Sequence, residues 1–106
     1  MKRPRLKSNR GKTGAIVNPF TKQKHKFHLL GEVRKRQKGN RDKILVLQRI
    51  EFDEDQRIEL RLAYYIIGKL RGMRGKWVWG QYASLIPPED FLALYHKAKK
   101  KGWFKN

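Results

Sequence analysis

Residues 44–66 read ILVLQRIEFDEDQRIELRLAYYI, and this stretch decides the fold because it predicts two paired strands. In its second half, apolar side chains occupy every second position over nine residues: Ile58, Leu60, Leu62, Tyr64 and Ile66. A period of two is typical of a β-strand with one buried face. The first half alternates in the same way, and the polar run at 53–56 predicts a turn. If Phe52 and Ile58 share a face, the tip of this hairpin holds an odd number of residues.

Two further strands are predicted, one on each side of the hairpin. His25–Arg36 contains four apolar side chains, Phe27, Leu29, Leu30 and Val33, which predict a strand with a bulge at Gly31. It precedes the turn signal at 38–40. Residues 68–75 contain three glycines among basic residues, which favours a loop. Lys76–Ile86 then predicts the fourth strand.

The C-terminal segment predicts one helix of about 14 residues. Pro88 suits the first helical position, and the acidic residues that follow it complement the positive end of a helix. Gly102 can adopt the left-handed conformation that ends a helix, which places Trp103 against the last turn. Together the elements predict an α+β fold, with a small antiparallel sheet of about four strands and one C-terminal helix.

The chain has 106 residues and a formal charge of +18, which is concentrated near its start. Residues 1–43 carry +13, whereas residues 44–106 carry +5. Residues 1–14 contain six basic side chains, one proline and two glycines without an apolar period, which predicts a flexible basic N-terminal arm. Residues 15–106 are then predicted to form a single α+β domain.

Several classes of protein are excluded by residues that the sequence lacks. It has no cysteine, which excludes disulfides, thiolate metal sites and cysteine catalysis. No apolar run reaches the roughly 18–20 residues of a membrane-spanning helix, so we expect no membrane partner and an intracellular location, cytoplasmic or nucleoid/nuclear. Gly11-Lys12-Thr13 is not a phosphate-binding loop, because Leu6 stands where that motif needs its first glycine.

Acidic residues gather at the predicted hairpin tip. Asp53, Asp55 and Glu59 could hold a divalent metal ion, which keeps a metal-dependent nuclease or nuclease subunit open as an alternative. Consecutive acidic residues are nevertheless typical of a solvated turn. His25 and His28 are expected on opposite faces of one strand, so they do not form a joint metal site. The leading interpretation therefore assigns no catalytic residue, no metal and no cofactor, and favours a non-enzymatic protein.

The remaining feature combines basic and aromatic residues. A positive charge of this size favours a polyanionic partner, and nucleic acid is the natural class. Trp77 and Trp79 lie two residues apart, next to the basic loop, and share one face of the predicted strand. They could stack on bases or pack against the helix as part of the core, and the sequence leaves both roles open.

We therefore predict a nucleic-acid-binding protein that makes mainly sequence-independent contacts to backbone phosphates. The sequence does not choose between DNA and RNA or between single and double strands. A small basic structural subunit of a ribonucleoprotein or other assembly is a third hypothesis. The predicted binding residues are Lys2, Arg3, Arg5, Lys7, Arg10, Lys12, Arg34, Lys35, Arg36, Lys38, Arg41, Lys43, Lys69, Arg71, Arg74, Lys76, Trp77 and Trp79.

Overall fold

Five β-strands form one antiparallel sheet in chain order, and in the described residues one helix follows them. The strands are β1 (Thr13–Val17), β2 (Lys24–Arg36), β3 (Lys43–Phe52), β4 (Ile58–Ile67) and β5 (Trp77–Trp79), and the helix α1 spans Pro88–Lys100. These elements come from a computed structural model that describes residues 3–69, 72–80 and 84–105. The sheet is curled into a half-barrel, and the α+β class with a small antiparallel sheet and one C-terminal helix is confirmed.

The structure departs from the predicted strands at the two edges of the sheet. The three central strands, β2 to β4, lie within one residue of the predicted ranges. β1 was not predicted, because its sequence TGAIV is short and falls partly inside the predicted arm. β5 has three residues, whereas the prediction was Lys76–Ile86; residues 81–83 of that range lie outside the described residues.

A bulge in β2 decides which of its side chains face the helix. The register between β2 and β3 shifts between Leu29 and Gly31, which confirms the predicted bulge. Leu29 pairs with Ile50, whereas Gly31 pairs with Arg49. Because paired residues lie on the same face of a sheet, the shift puts Leu29 and Gly31 on opposite faces. Gly31 therefore lies directly beside Arg49.

Each face of the sheet has its own core cluster. On the face that α1 covers, the helix face, Val33 and Leu45 pack with Leu94 and Ala98. The opposite face is called the arm face, because residues 3–12 lie against it. Its cluster consists of Phe27, Leu29, Ile50 and Phe52. Both faces of the sheet are therefore partly covered, one by a helix and the other by the arm.

The tip of the β3–β4 hairpin differs from the prediction. Glu51 pairs with Ile58, so Ile58 lies on the face opposite Phe52, and the expectation that they share a face is wrong. The backbone N–H of Phe52 donates to the carbonyl oxygen of Arg57 (2.9 Å), which leaves the four residues 53–56 at the tip. The guanidinium of Arg57 lies 4.6 Å from the centroid of the Phe52 ring, so an arginine covers this ring.

Helix α1 begins and ends as its sequence predicts. Pro88 is its first residue, and Gly102 ends it with a φ of +81°. The backbone N–H of Gly102 donates to the carbonyl of Lys99 (2.9 Å), and that of Trp103 donates to the carbonyl of Ala98 (3.2 Å). This pair of bonds is the Schellman motif. Trp103 packs beside the helix-face cluster, which confirms its predicted position.

Candidate functional site

Arg34 holds the N-terminal arm on the sheet. Its Nη1 donates to the carbonyl oxygen of Leu6 (2.6 Å), and its Nη2 donates to that of Lys7. Its Nε donates to the carboxylate of Glu32 (2.5 Å). Arg34 was predicted to contact nucleic acid, but each nitrogen of its guanidinium already has a partner within the protein. In this arrangement its role is to position the arm.

Asn9 fixes the middle of the arm. It is 8% exposed, and its Nδ2 donates to the hydroxyl of Tyr65 (2.9 Å) and to Glu32 Oε2 (3.2 Å). Burial raises the pKa of Tyr65, and the carboxylate of Glu32 raises it further, so the phenol stays neutral. These contacts place Arg5 and Arg10 along the β2 edge. The flexibility of residues 1–14 stays a prediction.

A cleft opens between the arm, the β2 bulge and the end of α1, and we call it the bulge cleft. It has a volume of about 630 Å³. Five of its side chains are cations, and only one is a carboxylate, so its walls are electropositive. The lining residues are Arg5, Leu6, Ser8, Arg10, Leu30, Gly31, Glu32, Arg34, Arg49, Lys101 and Trp103.

Four of the five cations in the bulge cleft lack a carboxylate partner. Within the described part of the chain, no carboxylate oxygen lies within 4 Å of the charged groups of Arg5, Arg10, Arg49 or Lys101. The Nε of Arg49 is buried and has no hydrogen-bond partner among the described residues. Charges of one sign raise the local potential, so an anion in this cleft is favoured electrostatically.

The turn between β2 and β3 carries a second basic group, which is paired with acids. We call Lys35, Arg36, Lys38, Arg41 and Lys43 the turn cluster. The Nζ of Lys35 lies 3.0 Å from the carboxylate of Asp90, which is 1% exposed, and the Nζ of Lys38 lies 3.0 Å from that of Glu89. The hydrogen bond to Glu89 raises the pKa of Lys38. Two acids of α1 therefore neutralise lysines of the turn.

Asp42 removes more of the free charge around this turn. Its carboxylate lies 2.6 Å from Arg3 Nε and 3.5 Å from Lys69 Nζ. The hydrogen bond from Arg3 lowers the pKa of Asp42, so the carboxylate stays ionised. Three predicted regions, the arm, the turn and the glycine-rich loop, thus come together at Asp42. The carboxylate of Asp42 pairs with Arg3 and Lys69, so these two cations are not free of acids.

Two other members of the turn cluster have partners within the protein. Arg36 donates to the carbonyl oxygen of Arg41 (2.5 Å), and its guanidinium lies 5.6 Å from the centroid of the Trp77 ring. Lys43 lies over the ring of Tyr64, with Nζ 4.8 Å from its centroid, and burial lowers the pKa of this lysine. Arg41 itself is exposed.

Trp77 and Trp79 face the arm side of the sheet rather than the helix, because they pair with Ile67 and Tyr65 of β4. The Nε1 of Trp77 donates to the carbonyl of Pro4 (2.6 Å). Trp79 is 38% exposed, and the guanidinium of Arg61 lies 4.7 Å from its ring centroid. Neither indole belongs to the helix core, but an arginine already lies over each ring.

The remaining predicted residues are dispersed. Lys7, Lys12, Arg74 and Lys76 are exposed outside the bulge cleft, except that Lys12 lines a neighbouring cavity on the arm face. Lys2 and Arg71 lie outside the described residues, so the structure does not place these two.

The acidic residues of the β3–β4 tip contact nearby arginine and histidine side chains. Arg57 contacts Asp55 (3.1 Å) and Glu59 (2.9 Å), and Asp53 lies 2.6 Å from His28 Nδ1. In the residues that the structure describes, no group of three or more His, Asp or Glu side chains could hold a metal ion.

Three residues of the bulge cleft were missed by sequence reasoning: Arg49, Lys101 and Trp103. Arg49 follows Leu45 and Leu47 in the alternation of β3, so its face could be read from the sequence. Its place in the same cleft as Trp103 depends on the bulge register and on the direction of α1 across the sheet. Neither is a local property of the sequence.

No family model matches this chain, and no curated protein or solved structure matches it either. None of the helices in the described residues is long and apolar enough to cross a membrane.

Proposed function

We propose that this protein binds nucleic acid through contacts to backbone phosphates centred on the bulge cleft. The observation that carries the proposal is that Arg5, Arg10, Arg49 and Lys101 converge on one cleft, with no carboxylate partner among the described residues. Gathering like charges costs free energy in the unbound protein, and a phosphate backbone offsets that cost.

The contacts are mainly independent of sequence. Arginine and lysine side chains that bind phosphate oxygens position a protein on nucleic acid but do not read its bases. The formal charge of +18 adds a long-range attraction that speeds association. DNA and RNA share the phosphate chemistry, so both are expected to bind, and the proposed location is intracellular.

A salt titration of the purified full-length chain tests this function. We expect about six phosphates to be engaged, which gives a slope near −5 for log affinity against log salt with duplex DNA. Fluorescence anisotropy of a labelled oligonucleotide measures it. Absence of binding to both DNA and RNA at low salt, or affinity that does not change with salt, would contradict the proposal.

One observation favours a role as a subunit of a larger nucleoprotein assembly. Ile58, Leu60 and Leu62 lie on the helix face of β4, and each is 39–42% exposed. Adjacent exposed apolar side chains are more typical of an interface than of a free surface. Sedimentation velocity of the protein with its oligonucleotide distinguishes a simple one-to-one complex from an assembly of higher order.

A further inference from the structure

We propose that the bulge cleft binds one nucleotide of a single strand, with its phosphate on Arg49 and Lys101 and its base on the indole of Trp103. This inference rests on the proposed function, and it adds the kind of strand and the residues that select it. Arg49, Lys101 and Trp103 come from β3 and from the end of α1, and the fold brings them together around Gly31.

Arg49 has a donor for which the described residues offer no acceptor. Its Nε is buried without a hydrogen-bond partner, and a buried unsatisfied donor costs free energy. The guanidinium is a planar fork whose geometry matches two phosphate oxygens. Arg49 lines the cleft, so a phosphate there would supply its guanidinium with a counter-charge.

Trp103 is the indole whose ring faces are free of other rings and cations. An arginine lies over the ring of Trp77 and another over that of Trp79, whereas no cation or aromatic ring in the described residues stacks on Trp103. A Cβ atom on Gly31 would lie 3.0 Å from Cζ2 of this indole, so the ring rests directly against the bulge backbone. The bulge thus supports the ring, which also lines the cleft.

The cleft favours a single strand over a duplex. Its volume of about 630 Å³ is in the range of cavities that hold small-molecule ligands, so it has room for one nucleotide unit. In a duplex the faces of each base are covered by its neighbours, and only an unstacked base can place its face on an aromatic side chain. Phosphates of a duplex would still be attracted, but without the stacking contribution.

The test compares two single strands that differ only in their bases. One is an oligodeoxythymidine of about 12 nucleotides, a length within the usual range for one binding site. The other has the same number of phosphates but carries abasic residues. Trp103→Leu is expected to weaken binding of the thymidine strand by about 5–100-fold, as loss of one stacked base predicts. It should leave binding of the abasic strand unchanged, and Trp103→Phe should retain most of the affinity.

Arg49→Gln tests the phosphate contact. It is expected to lower the affinity for both strands equally. It should also reduce the slope of log affinity against log salt by about 0.7, the value for one phosphate of a single strand. Arg57→Gln is the matched control, because Arg57 pairs with Asp55 and Glu59 at the hairpin tip, lies outside the bulge cleft and should leave the slope unchanged.

Tryptophan fluorescence tests the same inference if Trp103→Leu fails to fold. With Trp77→Phe and Trp79→Phe, Trp103 is the remaining tryptophan, and the thymidine strand should quench its fluorescence while the abasic strand should not. The inference would be overturned if Trp103 fluorescence is not quenched at saturation, or if Trp103→Leu loses affinity equally for the thymidine and abasic strands. Failure of the unmodified protein to bind either strand at low salt would overturn the proposed function instead.

Discussion

The bulge cleft and the turn cluster are both rich in lysine and arginine, but they differ in their acids. At the turn, Asp90 and Glu89 reach the lysines from a helix that lies about fifty residues further along the chain. In the cleft, Glu32 is engaged by Arg34, and the other four cations have no carboxylate partner in the part of the chain that the structure describes. The difference shows that a run of basic residues does not by itself provide unpaired positive charge. Where carboxylates from a distant part of the chain pair with such a run, its cations make tertiary contacts within the protein.

The largest expected effect compares cations of the bulge cleft with acid-paired cations around the β2–β3 turn, by removing three charges in each variant. Arg10→Gln with Arg49→Gln and Lys101→Gln should weaken binding of nucleic acid by about 100-fold at moderate salt, since each lost contact to a charged group costs about 1 kcal/mol or more. Arg3→Gln with Lys38→Gln and Lys69→Gln lowers the net charge equally but removes cations that already contact acids. Affinity measured by anisotropy should change little in this second variant.

Equal losses in the two triple variants would contradict the comparison. In that case total charge, and not the placement of acids, would govern binding. Circular dichroism of both variants serves as the control for folding.

The second effect concerns stability and uses the acids of α1. Asp90 is buried, pairs with Lys35 and accepts the backbone N–H of Lys38 (2.8 Å). Asp90→Asn should lower the free energy of unfolding by about 2 kcal/mol, because it leaves a half-buried lysine without its counter-charge. Glu89→Gln removes an exposed pair and should cost about 0.5 kcal/mol or less. Chemical denaturation measures both values, and similar losses would argue against a structural role for Asp90.

Sequence periodicity was sufficient for the central strands and the helix. The alternation in β3 and β4, Pro88 at the start of α1 and Gly102 at its end are local signals, and each has its expected counterpart in the structure. β1 was missed because Gly14 breaks its apolar pattern. That glycine is needed for packing, since a Cβ atom there would lie 2.7 Å from the ring of Phe27.

The candidate site could be predicted only in part. The sequence predicted Arg5 and Arg10 as binding residues, and the structure places both in the bulge cleft. It could not show that Arg34 is engaged in holding the arm, or that Asp90 reaches Lys35, because these contacts join distant parts of the chain. Charge in a sequence is local, whereas its pairing depends on the tertiary fold.

A pH titration gives a smaller effect with a defined sign. Burial raises the pKa of Asp90, but the N–H of Lys38 and the ammonium of Lys35 lower it more, so its net pKa is below the ordinary value. A group with a lowered folded pKa stabilises the protein fully above its unfolded pKa, and this contribution is lost as the pH falls through the folded pKa. The free energy of unfolding should therefore fall below about pH 4. This loss of stability at low pH should be smaller in Asp90→Asn. If the free energy of unfolding depends on pH in the same way in both proteins, Asp90 is not the group responsible.

The smallest effects come from a glycine in each region. Gly39 lies in the turn with a φ of +80° and open space around its Cβ position, so Gly39→Ala should cost about 1 kcal/mol of stability through backbone strain and leave binding unchanged. Gly31 does not have a positive φ, but an added methyl group would push the Trp103 ring by a few tenths of an ångström. Gly31→Ala should therefore lower the affinity for a single strand by about 2–3-fold, because a small displacement of the ring loses part of the stacking contact with the base. Denaturation and anisotropy measured on both variants separate the two roles. If Gly31→Ala weakens duplex and single strand alike, the indole does not select the strand, and the cleft acts through its charges alone.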